Sequence, residues 1–425
     1  MGEGKVRGKI PGSRRVPNPV LVTVLAGSLC AASAVKAITP SQADQAMQAF
    51  NKAYWNPTDK YFYKSDNRTG VLDFWLSAHA WETVMDAYRL TDKDEYKQQI
   101  KDVYDGFVKR HGTDWTQNDY NDDIMWWTIA STRAYAITGE ARYLTQAKTQ
   151  FDWVYKTQRD TVAGGIWWKN TEHNTKNSCV VQPAILTAIA LSKALKDDGY
   201  RVKAESLYAW QKRTLLDAKN PGKVFDAINS SGVIGTGSTT YNQGTFIGSA
   251  MGLGHVEDAK ICADWTKKNM CNPLGVLREA GQGDFAAFKL ILVRYVIGMG
   301  RELGWAGTPY LSWMETNAVS VWEKRRTADN VMGPDWANPA PATGIESATA
   351  ASGVTLLALL ATPGTAIRLV PTDRAAYAGS ARTAVAGMPS IWVWGAEPNS
   401  AAFDGGGFRS GAFRRMDGRL LNACR

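Results

Sequence analysis

Apolar residues recur at every third or fourth position along most of the chain from residue 41 onward, which is the spacing of one face of an α-helix. Ala43, Met47, Phe50 and Tyr54 give the first example. Continued along the sequence, this pattern predicts twelve helices, over residues 42–53, 74–90, 94–110, 122–137, 141–156, 181–196, 200–216, 243–252, 256–269, 285–303, 308–324 and 345–360. Strand-like alternation is scarce and falls in connections such as residues 164–169.

Twelve helices within residues 38–363 divide into six consecutive pairs of about 54 residues each, a length that suits two antiparallel helices and their loop. We therefore predict an all-α fold in which six helical hairpins close into a toroid, an (α/α)6 barrel. An open helical array is the alternative that the same pattern allows. Because the longer loops of such a toroid gather on one rim, we expect a functional site there.

The net charge of +9 belongs to the two ends of the chain. Residues 1–37 hold six Lys and Arg against one Glu, and residues 364–425 hold eight Arg against four acidic residues, so the part between them has a net charge of zero. A nucleic-acid-binding domain carries its positive charge on the folded body. We therefore expect no nucleic-acid partner.

The ends also differ from the helical part in composition. In residues 1–37 a basic segment precedes the apolar run 20–35 and a small-residue cleavage site, which is typical of an export signal. An uncleaved N-terminal anchor is the alternative. We expect residues 38–363 to form the folded domain. Residues 364–425 contain no Lys and no helical period, which indicates a disordered Arg- and Gly-rich tail or a gene-model artefact.

An export signal predicts a protein that acts outside the cell, either free or associated with a cell wall. Asn67 and Asn229 begin N-x-Ser/Thr sequences, the acceptors for N-glycosylation. No stretch after the leader approaches about 18 uninterrupted apolar residues, so we expect no membrane span in the mature chain. In an oxidising compartment Cys262 and Cys271 either form a disulfide or remain two free thiols.

The most informative motif places two adjacent carboxylates, Asp122 and Asp123, just before Trp126 and Trp127 at the start of a predicted helix. Retaining glycosidases need two carboxyl groups about 5–5.5 Å apart, one as nucleophile and one as acid/base. Burial and like charge would raise the pKa of one carboxyl and leave the other ionised. The alternative is structural: Asn121 or Asp122 caps the helix and Asp123 complements its dipole.

Other polar and aromatic residues near helix starts are weaker candidates for sugar binding. Each also has a structural interpretation, as core packing for the indoles, as a helix cap for the asparagine, or as an exposed ion pair for the charged residues. The candidates are Asp73, Trp75, Trp126, Trp167, Trp168, Tyr241, Asn242, Gln243, Asp284 and Lys289.

The sequence lacks the motifs that mark several other kinds of catalytic or metal-binding site. The four histidines are widely spaced and do not form H-E-x-x-H, and the chain has no C-x-x-C pair. Neither a G-x-S-x-G nucleophile elbow nor a phosphate-binding G-x-x-x-x-G-K-[ST] loop occurs. We therefore expect no metal and no cofactor.

Taken together, four ordered motifs between residues 40 and 360 resemble those of glycoside hydrolase family 76, the α-1,6-mannanases, which include fungal cell-wall members. One stretch, Lys176-Asn-Ser-Cys-Val180, departs from the pattern of many members. The matching motifs are Tyr120-Asn-Asp-Asp-Ile-Met-Trp-Trp127, Gly164-Gly-Ile-Trp-Trp168, Tyr241-Asn-Gln-Gly-Thr-Phe246 and Gly283-Asp284 with Phe288-Lys289 and Arg294.

The resemblance implies an (α/α)6 barrel that cleaves α-1,6-linked mannose chains with retention of configuration and without a metal. It assigns Asp122 as the nucleophile and Asp123 as the acid/base. From the positions of these motifs we expect the Trp167–Trp168 pair and residues 241–243 to line the sugar-binding subsites.

We therefore expect a secreted, monomeric endo-α-1,6-mannosidase that acts on α-1,6-mannan or mannooligosaccharides. Two alternatives remain. A transglycosidase would pass the mannosyl intermediate to a sugar hydroxyl, and a mannan-binding protein would keep the scaffold without catalysis.

Overall fold

The computed structural model describes residues 37–279 and 281–363. The export signal, apart from Ala37, and the tail after residue 363 lie outside the described residues. All twelve predicted helices are present, and their bounds are α1 Pro40–Tyr54, α2 Phe74–Thr91, α3 Asp94–His111, α4 Asn121–Thr138, α5 Ala141–Thr157, α6 Ser178–Leu195, α7 Asp198–Leu215, α8 Thr240–Leu253, α9 Val256–Met270, α10 Phe288–Glu302, α11 Thr308–Lys324 and α12 Ser347–Ala361.

The even-numbered helices form a closed inner ring. Each packs against the next, from α2 through α4, α6, α8 and α10 to α12, and α12 packs back against α2. The odd-numbered helices lie outside, each against its hairpin partner. The prediction of an (α/α)6 barrel is therefore confirmed, and the open array is excluded.

Inner and outer helices differ in how their sequences are buried. Every residue of α8 is buried, as expected for a helix with neighbours on all sides. Gly244 permits this close packing, because a Cβ there would lie 2.6 Å from the Cα of Leu292 in α10. The outer helix α3 instead buries one stripe, which includes Tyr96, Ile100 and Phe107, and exposes its charged face.

Five short strands occur among the described residues, all in loops. One small sheet pairs β1 (Trp55–Asn56) with β2 (Tyr61–Phe62). The other has the order β3 (Thr175–Asn177), β4 (Ala227–Asn229) and β5 (Ile234–Gly235), all antiparallel. Since β3 leads into α6 and β5 precedes α8, the second sheet fixes the loops at the rim where these inner helices begin.

A buried cluster of charges ties three inner helices together inside the ring. Arg133 of α4 donates to Glu82 and to Asp86 of α2, at 2.6 Å in each case. Arg294 of α10 lies 2.7 Å from Asp86, and His79 Nδ1 lies 3.2 Å from Glu82. Because the two guanidinium groups outweigh the cost of burial, the pKa of Glu82 lies well below its usual range.

Helix α6 is long and apolar enough to cross a membrane by length and composition, but 72% of it is buried against other helices. A core helix of this barrel has the same properties, so the burial accounts for its composition. The thiols of Cys179, Cys262 and Cys271 are all free. The disulfide considered between Cys262 and Cys271 is therefore absent.

Candidate active site

The two adjacent aspartates lie in the first turn of α4, where the capping interpretation fails. Tyr120 occupies the N-cap position and makes no side-chain cap. The Asn121 side chain donates instead to the carbonyl oxygen of Trp167, at 2.9 Å. Neither aspartate therefore occupies the N-cap position, and both carboxyl groups line a cleft.

The carboxyl groups of Asp122 and Asp123 open into a cleft of about 660 Å³, within the range of small-ligand sites. The N-terminal ends of α2, α4, α6 and α8 and the segment before α10 converge on it. The cleft is lined by Asp73, Trp75, Tyr120, Asp122, Asp123, Trp126, Trp168, Asn177, Cys179, Asp226, Gly237, Ser238, Thr239, Tyr241, Asp284, Phe285 and Phe288.

Burial raises the pKa of Asp122 to about 6. The rise is limited because the thiol of Cys179, the indole N–H of Trp168 and the backbone N–H groups at the start of α4 stabilise its charged form. Its Oδ1 atom is buried and accepts no hydrogen bond from the described residues. The Asp122 carboxyl group nevertheless belongs to the lining of the cleft.

Burial and the neighbouring charge of Asp122 raise the pKa of Asp123 further, to about 8. The carboxylates of Asp284 and Asp73 act in the same direction. The Asn118 side chain opposes them by donating to Asp123 Oδ2 at 2.9 Å. Near neutral pH the pair therefore holds one ionised and one protonated carboxyl, the combination that a nucleophile and a general acid require.

Aromatic rings form the walls of the cleft. The Trp75 ring lies 6.3 Å from that of Trp126 and 6.1 Å from that of Phe288, measured between centroids. Phe288 in turn lies 4.7 Å from Tyr241. Flat apolar surfaces beside hydrogen-bonding carboxylates suit the faces and hydroxyls of a sugar ring.

The structure brings together six of the predicted binding residues around the aspartate pair. They come from the starts of α2, α4 and α8 and from two connecting segments, which the sequence separates by more than two hundred residues. These six are Asp73, Trp75, Trp126, Trp168, Tyr241 and Asp284.

Two predicted binding residues do not line the cleft because neighbouring positions point in different directions. Trp167 turns away from Trp168, stacks on His173 at 5.3 Å and lies under the ammonium of Lys176. Lys289 is buried behind Phe288, where it donates to the carbonyl oxygen of Pro334 at 2.6 Å.

Asn242 and Gln243 also lie outside the cleft lining, in the fully buried first turn of α8. The Asn242 side chain accepts from the backbone N–H of Thr239 at 2.7 Å and completes a capping box, so the structural alternative is the one observed. Gln243 joins the preceding loop to α8 by accepting from the N–H of Val224 and donating to the carbonyl oxygen of Gly222.

Several cleft residues were missed from the sequence, above all a further carboxylate, Asp226. It accepts from the Tyr241 hydroxyl and, at 3.1 Å, from the Asn242 side chain. Its backbone is fixed by hydrogen bonds to Ser178 and Gly237. Asp226 follows a loop with no helical period, so no local signal distinguished it from a surface residue.

Within the ranges that the structure describes, no group of three or more His, Cys, Asp or Glu side chains is arranged to hold a metal ion.

A family model described as glycosyl hydrolase family 76 matches residues 39–366. Comparison with curated protein sequences gives no match.

Solved structures of similar fold include the GH76A α-1,6-mannanase from Salegentibacter sp. HEL1_6, at 27% identity and a TM-score of 0.71, with 76% of this chain and 98% of that chain covered. A variant of that enzyme with two consecutively numbered aspartates changed to asparagine is inactive and was solved in complex with α-1,6-mannotriose. Dfg5 from Chaetomium thermophilum, solved with glucosamine, shares 15% identity at a TM-score of 0.63, with 76% and 90% covered, which is a likeness of fold.

Proposed function

The chain belongs to glycosyl hydrolase family 76, and we propose that it is an endo-acting α-1,6-mannosidase that cleaves mannan with retention of configuration. The observation that carries the proposal is the Asp122–Asp123 pair, half-buried in the cleft with unequal pKa values. The neutral net charge of residues 38–363 and the aromatic walls suit an uncharged glycan.

In the first step the Asp122 carboxylate attacks the anomeric carbon and forms a glycosyl ester. The bond between that carbon and the glycosidic oxygen breaks, and Asp123 gives its proton to the leaving oxygen. Asp122 suits this role because its pKa lies below that of Asp123 and its carboxyl group lines the cleft.

In the second step Asp123 takes a proton from water, and the water oxygen displaces Asp122 from the anomeric carbon. Formation of the ester removes the negative charge of Asp122, which is one of the causes that raise the pKa of Asp123. The pKa of Asp123 therefore falls in the intermediate, so the residue changes from acid to base when the reaction needs a base.

The Salegentibacter enzyme supports this assignment. That α-1,6-mannanase is inactive when two consecutively numbered aspartates are changed, and its complexes contain α-1,6-linked mannooligosaccharides. We assign the same substrate class to this chain, and the corresponding role to Asp122 and Asp123.

The proposal is tested by incubating the full-length protein with linear α-1,6-mannan, separating the products by size and following the first-formed anomer by NMR. We expect short oligosaccharides that appear first as the α-anomer. A β-anomer formed first would overturn the double displacement, and mannose as the sole early product would overturn endo action.

Transfer to a sugar hydroxyl is a second candidate function that uses the same intermediate. It is favoured by Phe285, which lines the cleft while 53% exposed and could support an acceptor sugar. Coupled product exceeding free reducing sugar in the presence of an acceptor glycan would establish transfer. A protein that binds mannan but releases neither product would instead be a non-catalytic mannan-binding protein.

A further inference from the structure

A second cavity of about 500 Å³ adjoins the cleft at the rim. It lies between the start of α8 and the end of α9, and it shares Ser238 and Thr239 with the cleft lining. These two residues precede α8, and they form a shared edge over which a chain held in the cleft can continue outward.

The wall of this groove combines an indole with hydrogen-bonding groups. Trp265 on α9 is half-buried, and Lys223, Asn269 and Arg278 surround it. The loop at Gly222 packs closely on α9 beside this indole, since φ there is 93° and an added Cβ would lie 2.8 Å from the Cβ of Trp265. A half-buried indole beside amide, ammonium and guanidinium groups has the chemistry of a sugar-binding surface, and Arg278 is positioned there by donating to the carbonyl oxygen of Asn269.

We propose that this groove, defined by Trp265, Lys223 and Arg278, binds additional sugar residues of the α-1,6-linked chain beyond those held in the cleft. This inference rests on the proposed function, since it takes the glycan as the ligand. The groove then makes the protein prefer longer substrates. A short oligosaccharide occupies only the cleft, whereas a longer one also contacts α9.

The test measures kcat/KM for α-1,6-linked mannooligosaccharides of increasing length with the full-length protein. We expect a stepwise rise once the chain is long enough to cross Ser238 and Thr239. Trp265→Ala should remove the step, lowering kcat/KM for the long substrates about tenfold, as expected for the loss of one stacking contact. The ratio between long and short substrates is the quantity compared.

Trp305→Ala is the matched control, because Trp305 is 90% exposed just beyond the end of α10, the end opposite to the cleft. It should leave every length unchanged. Arg278→Gln removes an exposed groove side chain without emptying a packed position, so it tests the groove if Trp265→Ala does not fold. An equal loss on short and long substrates, or no length dependence in the unaltered protein, would overturn the inference.

A binding measurement separates the inference from the proposed function. In the Asp122→Asn background, calorimetry should show that Trp265→Ala weakens binding of a long mannooligosaccharide about tenfold and of a short one much less. Length-dependent binding without turnover in the unaltered protein would refute hydrolysis and keep the groove. The absence of any length-dependent binding would refute the groove.

Discussion

The chain contains two Asp-Asp pairs, and both stand at the start of a helix. Asp197 caps the outer helix α7 by accepting from the N–H of Gly199 at 2.8 Å, and both Asp197 and Asp198 are exposed. Asp122 and Asp123 begin the inner helix α4 without capping it, and they face a cleft that four other segments enclose. The same dipeptide therefore serves folding in one place and offers chemistry in the other.

The difference comes from the position of each helix in the barrel. An outer helix begins in water, where a carboxylate stabilises the helix by accepting from free N–H groups. An inner helix begins in the cleft, where burial and neighbouring carboxylates raise the pKa of Asp123. The Asp-Asp motif alone does not distinguish the two pairs. The burial supplied by the closed ring shifts the pKa values of Asp122 and Asp123 and suits them to acid/base chemistry.

The largest expected effect concerns catalysis. Asp122→Asn and Asp123→Asn should each lower kcat/KM on α-1,6-mannan by about 10²–10⁴-fold, because each removes a group that acts in the transition state. The double variant Asp197→Asn with Asp198→Asn is the control and should stay within about twofold of the unaltered protein. If variants of both pairs fold, as verified by circular dichroism, and lower kcat/KM equally, the distinction between a catalytic pair and a capping pair is wrong.

Stability should change in opposite directions at the two pairs. Asp123 binds its proton more tightly in the folded state, so its ionisation destabilises the fold as pH rises from its unfolded pKa through about 8. Asp123→Asn should therefore raise the free energy of unfolding by about 1–2 kcal/mol at pH 8, with the gain disappearing near pH 4. Asp197→Ala should lower it by about 1 kcal/mol through loss of the cap. Denaturant titration at both pH values measures these changes, and a pH-independent gain at Asp123 would contradict the pKa argument.

A smaller effect should appear in the pH dependence of kcat/KM. We expect a bell with an acidic limb near the pKa of Asp122, about 6, and an alkaline limb near that of Asp123, about 8. Asp284→Asn removes a charge that raises the pKa of Asp123, so the alkaline limb should move to lower pH by a few tenths of a unit. Asp73→Asn should move it less, since Lys64 already lies 2.9 Å from that carboxylate.

The opposite shift provides the control for this profile. Asn118→Ala removes the donor that stabilises ionised Asp123, so the alkaline limb should move to higher pH. If Asn118→Ala and Asp284→Asn move the limb in the same direction, Asp123 is not the group that titrates there.

Helical periodicity was sufficient to predict the twelve helices, because each buries a face or its whole surface against neighbours. The starts of some helices could not be predicted from periodicity. Helix α8 begins at Thr240, three residues before the predicted position, because the capping box of Thr239 and Asn242 extends it. The capping residues are polar and precede the apolar repeat, so periodicity alone does not predict where the helix begins.

The sequence predicted cleft residues at the starts of inner helices and in two connecting segments. It did not show which way each side chain points or which distant segments pair. Phe288 lines the cleft and Lys289 does not, because successive residues of a helix point about 100° apart. Trp167 pairs with Lys176 in an isolated β-bridge and faces away from its neighbour Trp168. The position of Asp226 depends on the pairing of β3 with β4, which joins residues about fifty positions apart.

The buried charge cluster has a consequence for synthesis of the chain. Asp86 and Arg294 are 208 positions apart, so α2 and α4 leave the ribosome long before α10. Until α10 arrives, the two carboxylates of α2 share the single guanidinium of Arg133, and enclosing that excess charge is costly. Arg294 supplies the second guanidinium that balances the two carboxylates, so its arrival favours closure of the ring.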